Sequence, residues 1–151
     1  MSDVDDFLSA ILVRQVAAET AIHHGDPGPR LAMWSRRDPV SLFGAFGPNK
    51  RGWDAVSQTF RWVASRFSNV SGFRFELVAA DVSGDLAYTV GYEHSVVSFD
   101  GGATEPRTLR VTHVYRREDG EWKIVHRHGD VPPVDQSPPM PASPVTSAPL
   151  R

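Results

Sequence analysis

The chain has no cysteine, which excludes a disulfide framework, a thiol nucleophile and a cysteine-ligated zinc site. It has no excess of positive charge: 16 Lys+Arg stand against 18 Asp+Glu, for a formal net charge of -2. A nucleic-acid binder that works through a basic field is therefore not expected. No apolar run approaches the ~18 residues of a membrane span, so no membrane partner is expected either. Met1-Ser2-Asp3-Val4-Asp5-Asp6 is acidic where a secretory leader would be basic. These absences predict a soluble protein of a reducing compartment, the cytoplasm.

The 151 residues are 40% hydrophobic and 10% aromatic, enough for one ordinary core. Fourteen of the sixteen basic residues are arginine. Proline is concentrated at the end: Pro132–Arg151 holds seven of the twelve prolines and little that could enter a core. That divides the chain into a globular domain, residues 1–131, and an extended or disordered tail, residues 132–151.

Leu8, Ile11, Leu12, Gln15, Val16, Glu19 and Ile22 recur at spacings of three and four, predicting a helix over Val4–His24 that Gly25 stops. A short helix through Leu31, Ala32 and Trp34 follows Asp26-Pro27, then a short strand over Val40–Phe46 and a loop over Gly47–Gly52. Val56, Phe60, Val63, Ala64 and Phe67 mark a third helix from Trp53. Four strands follow, over 73–82, 86–99, 107–117 and 122–128, with turns containing Gly84, Gly101 and Gly120. Helices first and antiparallel strands second predict an α+β fold of order α-α-β-α-β-β-β-β, a curved antiparallel sheet wrapped around N-terminal helices.

Alternation along each strand sorts side chains to two faces. Taking the richer apolar set as inward places Phe73, Phe75, Leu77 and Ala79 inside, then Tyr88, Val90, Tyr92 and His94. Leu109, Val111, His113 and Tyr115 follow, and finally Trp122, Ile124, His126 and His128. On this parity Glu76 and Glu93 face outward, so the inner chemistry would rest on imidazoles and phenols. Each inner histidine also has a plain alternative, a buried ring hydrogen-bonded to a neighbour.

Gly25-Asp26-Pro27, Asp38-Pro39-Val40-Ser41-Leu42-Phe43-Gly44, Gly52-Trp53-Asp54-Ala55-Val56, Gly84-Asp85-Leu86-Ala87-Tyr88 and the closing 119–128 stretch carry a family likeness. The chain resembles the SnoaL-like and ketosteroid-isomerase-like proteins of the nuclear transport factor two-like superfamily, from about Val4 to Asp130. The resemblance implies a cystatin-like cone with a pocket at its open end, a small apolar ligand or substrate and a homodimer. It implies one of two functions. The first is a cofactor-independent isomerase, cyclase or dehydratase with His113 as acid/base and His94 and Tyr92 orienting or polarising. The second is a non-catalytic ligand-binding or oligomerising domain. Trp34, Phe43, Tyr88, Tyr115 and His126 are the expected ligand-binding residues. No cofactor is expected, because there is no Gly-rich phosphate loop, nucleophile elbow or dinucleotide fingerprint. A metal held by His113 with the His126-x-His128 pair is not expected, for want of an acidic ligand.

Overall fold

A computed structural model describes residues 2–133 of the chain. Helix α1 spans Asp3–His23 and starts at a capping box between Ser2 and Asp5. Its buried stripe runs Phe7, Ile11, Gln15, Glu19, His23 at steps of four, with Ala18 and Ile22 beside it. The stripe is apolar over its first turns and polar over its last, so α1 carries charge into the interior at its C-terminal end. Gly25, at φ 93, takes the left-handed conformation that stops the helix. Asp26 accepts the Gly28 backbone N–H at 2.9 Å and α2, Gly28–Met33, begins there.

Strands β1 (Ser41–Phe43) and β2 (Asn49–Arg51) precede α3 (Trp53–Arg66). Strands β3 (Phe67–Ser83), β4 (Leu86–Phe99), β5 (Glu105–Glu118) and β6 (Glu121–Asp130) complete the chain. They form one six-stranded sheet in the order β2-β1-β6-β5-β4-β3. Every junction is antiparallel except β1 on β6, which is parallel. The α+β architecture is the expected one, with β2 added; its three residues are all exposed and carry no apolar signal. Asp119 and Gly120 both have positive φ, 52° and 82°, as the two-residue β5–β6 hairpin turn requires. The proline-rich tail expected at 132–151 falls, from residue 134 onward, outside the described residues.

The core lies between the helices and the concave face of the sheet. Phe7 meets Tyr115 and Trp122 edge-to-face at 5.0 and 5.1 Å, and Trp34 meets Phe60 at 4.9 Å. Three irregularities bend the sheet: two in β3, between Ser68 and Gly72 and between Leu77 and Ala79, and one in β6 at Val125.

The bulges and one strand phase correct the expected faces. On β5, Val111, His113 and Tyr115 are buried as predicted. On β4 the inner set is Ala87, Thr89, Gly91 and Glu93, whereas Tyr88, Val90, Tyr92 and His94 lie on the outer, convex face. At Gly91 the inner face has no room for a side chain, because the Phe75 ring crosses above it. A Cβ on Gly91 would stand 2.6 Å from the Phe75 ring and 2.3 Å from the Glu76 carbonyl oxygen. On β6 the extra residue Val125 reverses the alternation, so Ile124, Arg127 and Gly129 are inside and His126 and His128 outside. On β3 the bulge between Leu77 and Ala79 puts Ala80 and Val82, in place of Ala79, in line with Thr89 and Ala87 on the inner face.

Candidate functional site

Arg127 of β6, His113 of β5 and Thr89 of β4 form one cross-strand row on the concave face. Two residues further along, Gly129, Val111 and Gly91 form another. The missing side chain at Gly129 leaves a lane for the Arg127 guanidinium, whose Nη2 lies 3.4 Å from where a Cβ would sit. Arg127 thereby crosses β5 to reach Glu93, donating to its two carboxylate oxygens at 2.8 and 2.9 Å. Arg127 and Glu93 are 5% and 3% exposed, so the pair is fully internal. Burial alone would raise the Glu93 pKa, but the attraction and hydrogen bonds of Arg127 outweigh it and hold the carboxyl below its ordinary range. Burial opposes charge on Arg127 too, and Glu93 more than compensates, so its guanidinium stays charged.

The same Arg127 Nη1 donates to His113 Nε2 at 3.1 Å. Burial first and the neighbouring Arg127 second push the His113 pKa well below its usual value, so the ring is neutral. Its Nε2 accepts, which leaves the proton on Nδ1, where no partner is found among the described residues. Thr89 Oγ1 and Gln15 Nε2 are buried without partners as well.

The polar end of α1 supplies a second buried pair. Glu19 receives Arg30 of α2 through Nε at 2.8 Å and through Nη2, and the Arg30 guanidinium lies over the Phe60 ring at 4.9 Å. Arg30 Nη1 makes no hydrogen bond among the described residues. One turn on from Glu19, His23 donates its Nδ1–H to the Glu19 backbone carbonyl. A carbonyl only accepts, so the proton sits on Nδ1 and Nε2 carries a lone pair. Burial lowers the His23 pKa further than Glu19 raises it. The ring packs on Phe67 at 4.6 Å and Phe73 at 5.7 Å.

His23, Arg30, Glu93, Arg107 and Arg127 line one cavity together with Phe46, Phe60, Val63 and Leu109. Its volume is about 50 Å³, room for a few waters at the ~10–15 Å³ that each one needs. The β1–β2 turn covers it: Phe46 stacks on Phe99 at 4.7 Å, with the Arg107 guanidinium 5.3 Å from its ring. Phe46, Pro48 and Thr59 also border an outer groove of about 430 Å³ along α3, which ends at Trp62. The Phe46 side chain thus stands between a small polar chamber and a larger open one.

Of the residues expected to form the site, His113 and Tyr115 are inside. Tyr115 is fully buried, its hydroxyl is directed at Gln15 Oε1 at 3.4 Å, and burial raises its pKa. Trp34 is 2% exposed and belongs to the core below the cavity. His94 is on the convex face, bonded to Glu76 at 3.0 Å and Thr108 at 3.1 Å, with Tyr92 stacked beside it at 6.1 Å. Tyr88 is 41% exposed on that face. His126 is there too, 2.7 Å from Ser41 Oγ, with Phe43 packed against it at 5.2 Å. The structure therefore does not bring His94, Tyr92, Tyr88, Phe43 or His126 to His113. No group of three His, Asp or Glu residues forms a metal-ligand set among the described residues.

Sequence reading alone missed Glu19, His23, Arg30, Glu93, Arg107 and Arg127. For three of them a signal was present. Glu19 and His23 continue the four-residue series of Phe7, Ile11 and Gln15, and a charge in a buried register asks for a buried partner. For Glu93 the signal was the run of small residues on its parity, which marks a face that something large crosses.

The profile of the SnoaL-like domain matches residues 15–134. No curated protein sequence matches the chain. Among solved structures, a ketosteroid isomerase-like protein from Erwinia carotovora atroseptica superposes with a TM-score of 0.69 at 17% identity, covering 84% of this chain and 97% of that one. A nuclear transport factor 2-like superfamily protein from Salmonella enterica gives 0.64 at 22% identity, covering 80% and 92%. A protein with a cystatin-like fold from Caulobacter vibrioides gives 0.61 at 18% identity, covering 87% and 90%. These three share the fold with the chain, a fold that hosts isomerases, dehydratases and non-catalytic members. With the match spanning most of its length, the chain belongs to the SnoaL-like domain family.

Proposed function

We propose that the chain is an enzyme that moves a proton on a small, mainly apolar molecule held in the cavity, without a cofactor. The observation that supports this reading is the unused lone pair of His23, on a neutral ring at the wall of a chamber that also holds Arg30, Glu93 and Arg127. A neutral imidazole of lowered pKa is a competent base near neutral pH. Its Nε2 would take a proton from a carbon beside a carbonyl, and the free Nη1 donors of Arg30 would bind the oxygen as it gains charge. Glu19 and Glu93 favour the imidazolium so formed. Returning the proton from the imidazolium to a second carbon gives an isomer; delivering it instead to a hydroxyl on the next carbon breaks that C–O bond, releases water and gives a dehydrated product. His113 acts at one remove in this scheme, positioning Arg127 against Glu93.

The test is carbon–hydrogen exchange in D2O with a panel of small ketones and keto acids, read by proton NMR. Wild-type protein should wash deuterium into the position beside the carbonyl of a bound compound, and His23→Gln should not. Exchange that survives His23→Gln removes His23 from the mechanism.

A second reading, a non-catalytic binding domain, is favoured by the mutual satisfaction of Glu19 with Arg30 and Glu93 with Arg127. Binding without exchange in the same assay would select it. In either case we place a second copy of the chain on the convex face, where Leu86 and Tyr88 are 53% and 41% exposed. Light scattering should give a dimer that Tyr88→Lys weakens, and a monomer at all concentrations would remove that part.

A further inference from the structure

Four ionised groups line the cavity, Arg30, Glu93, Arg107 and Arg127. Glu93 and Arg127 cancel each other, and Arg30 is cancelled by Glu19, which is buried outside the lining. His23, which also lines the cavity, is neutral. Arg107, at the rim, is the charge left over. It sits on the inner parity of β5, directly across from Ser95, and is partly buried. It makes no ion pair or side-chain hydrogen bond among the described residues; Glu105, two residues earlier, is the one carboxylate whose attraction it feels. Its guanidinium lies instead against three rings, 5.3 Å from Phe46, 5.6 Å from Phe67 and 5.8 Å from Phe99. A partly desolvated guanidinium recovers only part of its hydration from aromatic faces. Its planar fork of N–H donors remains available for an oxyanion.

We propose that the site takes a small organic monocarboxylate, its carboxylate on Arg107 and its apolar body in the place that Phe46 now fills, against Phe60, Val63 and Leu109. The charge balance selects a single negative charge: one guanidinium is unpaired, and Glu93 across the same chamber opposes a second negative group. Room comes from the Phe46 ring, because Phe46, Pro48 and Thr59 border both the inner cavity and the outer groove. When that ring turns aside the two spaces join, which brings the volume into the range of small-molecule pockets. This inference rests on reading the cavity as a ligand site and adds the class of ligand.

Benzoate and hexanoate, each set against its primary amide, separate charge from shape. Titrated into the isotope-labelled full chain and followed by NMR, both acids should bind at least tenfold more tightly than their amides. The shifts should concentrate at Phe46, Ser95, Arg107 and Leu109. Arg107→Met should abolish the preference while the amides still bind, which shows that the fold and cavity persist. Acid and amide binding equally to wild type, or a preference that survives Arg107→Met, overturns the assignment and leaves the cavity reading standing. No shift at those residues with any of the four compounds overturns both.

Discussion

Arg127 and Glu93 lie on strands that are not neighbours, and their two hydrogen bonds, 2.8 and 2.9 Å long, span the width of β5. The pair is internal and His113 hangs from it. Removing one charge of such a pair leaves the other buried and uncompensated. Arg127→Met should therefore cost about 3–5 kcal/mol of stability. Glu93→Gln with Arg127→Met together should cost less than the sum of the two single changes. Urea unfolding of the four proteins measures this, and additive losses would mean that the two residues do not interact.

Acid should act on this interior in two stages. His23 and His113 have lowered pKa values in the folded protein, whereas in the unfolded chain they bind protons near 6.5. The unfolded state then holds more protons below that value. Stability should be level above about pH 6.5 and fall below it, by up to ~1.4 kcal/mol per pH unit for each histidine. Glu93 is also lowered, from 4.5, so its contribution is kept through this range and lost only as pH falls below that value. His113→Gln should reduce the slope between pH 6.5 and 5, measured by urea midpoints. An unchanged slope would mean that His113 takes up its proton in the fold.

Gly91 should not tolerate alanine. The added methyl would meet the Glu76 carbonyl oxygen at 2.3 Å and the Phe75 ring at 2.6 Å, and backbone cannot move aside cheaply. A loss of at least about 2 kcal/mol is expected. Gly47, whose Cβ position meets nothing within 4 Å, gives the contrast, since only its φ of 101° opposes a side chain. Thermal unfolding of both variants makes the comparison, and equal losses would mean that contact at Gly91 is not what limits it.

Phe46→Ala should open the chamber to the outer groove. The change removes the stack on Phe99, worth about 1 kcal/mol. It should also speed ligand association several-fold in stopped-flow measurements. An association rate equal to that of wild type would mean that ligands enter by another route.

Much of this architecture is legible in the sequence. The four-residue stripe of α1, the glycine turns and the order of the long strands each follow a local rule, and together they give the α+β order. Strand bounds are less legible: β3, expected over 73–82, begins at Phe67, which the apolar spacing puts in the third helix, and β1, expected over Val40–Phe46, is only Ser41–Phe43. The site is far less legible, for physical reasons that lie in particular residues. The convex face of β4 carries the large rings of Tyr88 and Tyr92, while its concave face carries Ala87, Thr89 and Gly91, the last of them crossed closely by the Phe75 ring. A rule that turns the more apolar face inward therefore picks the wrong one. In β6 a single extra residue, Val125, moves His126 and His128 to the outside and Arg127 to the inside. Nothing in the local composition marks that bulge. His113 was placed correctly because β5 alternates without interruption from Arg107 to Tyr115.

The most direct measurement is the tautomer of His23, read from a long-range nitrogen–proton NMR spectrum of the imidazole rings between pH 5.5 and 8. The ring should stay neutral near pH 7, with the proton on Nδ1 and Nε2 unprotonated, and its Nε2 signal should move when a carboxylate ligand fills the cavity. A ring protonated at Nε2 at pH 7, or an Nε2 signal indifferent to bound ligand, would remove His23 as the base.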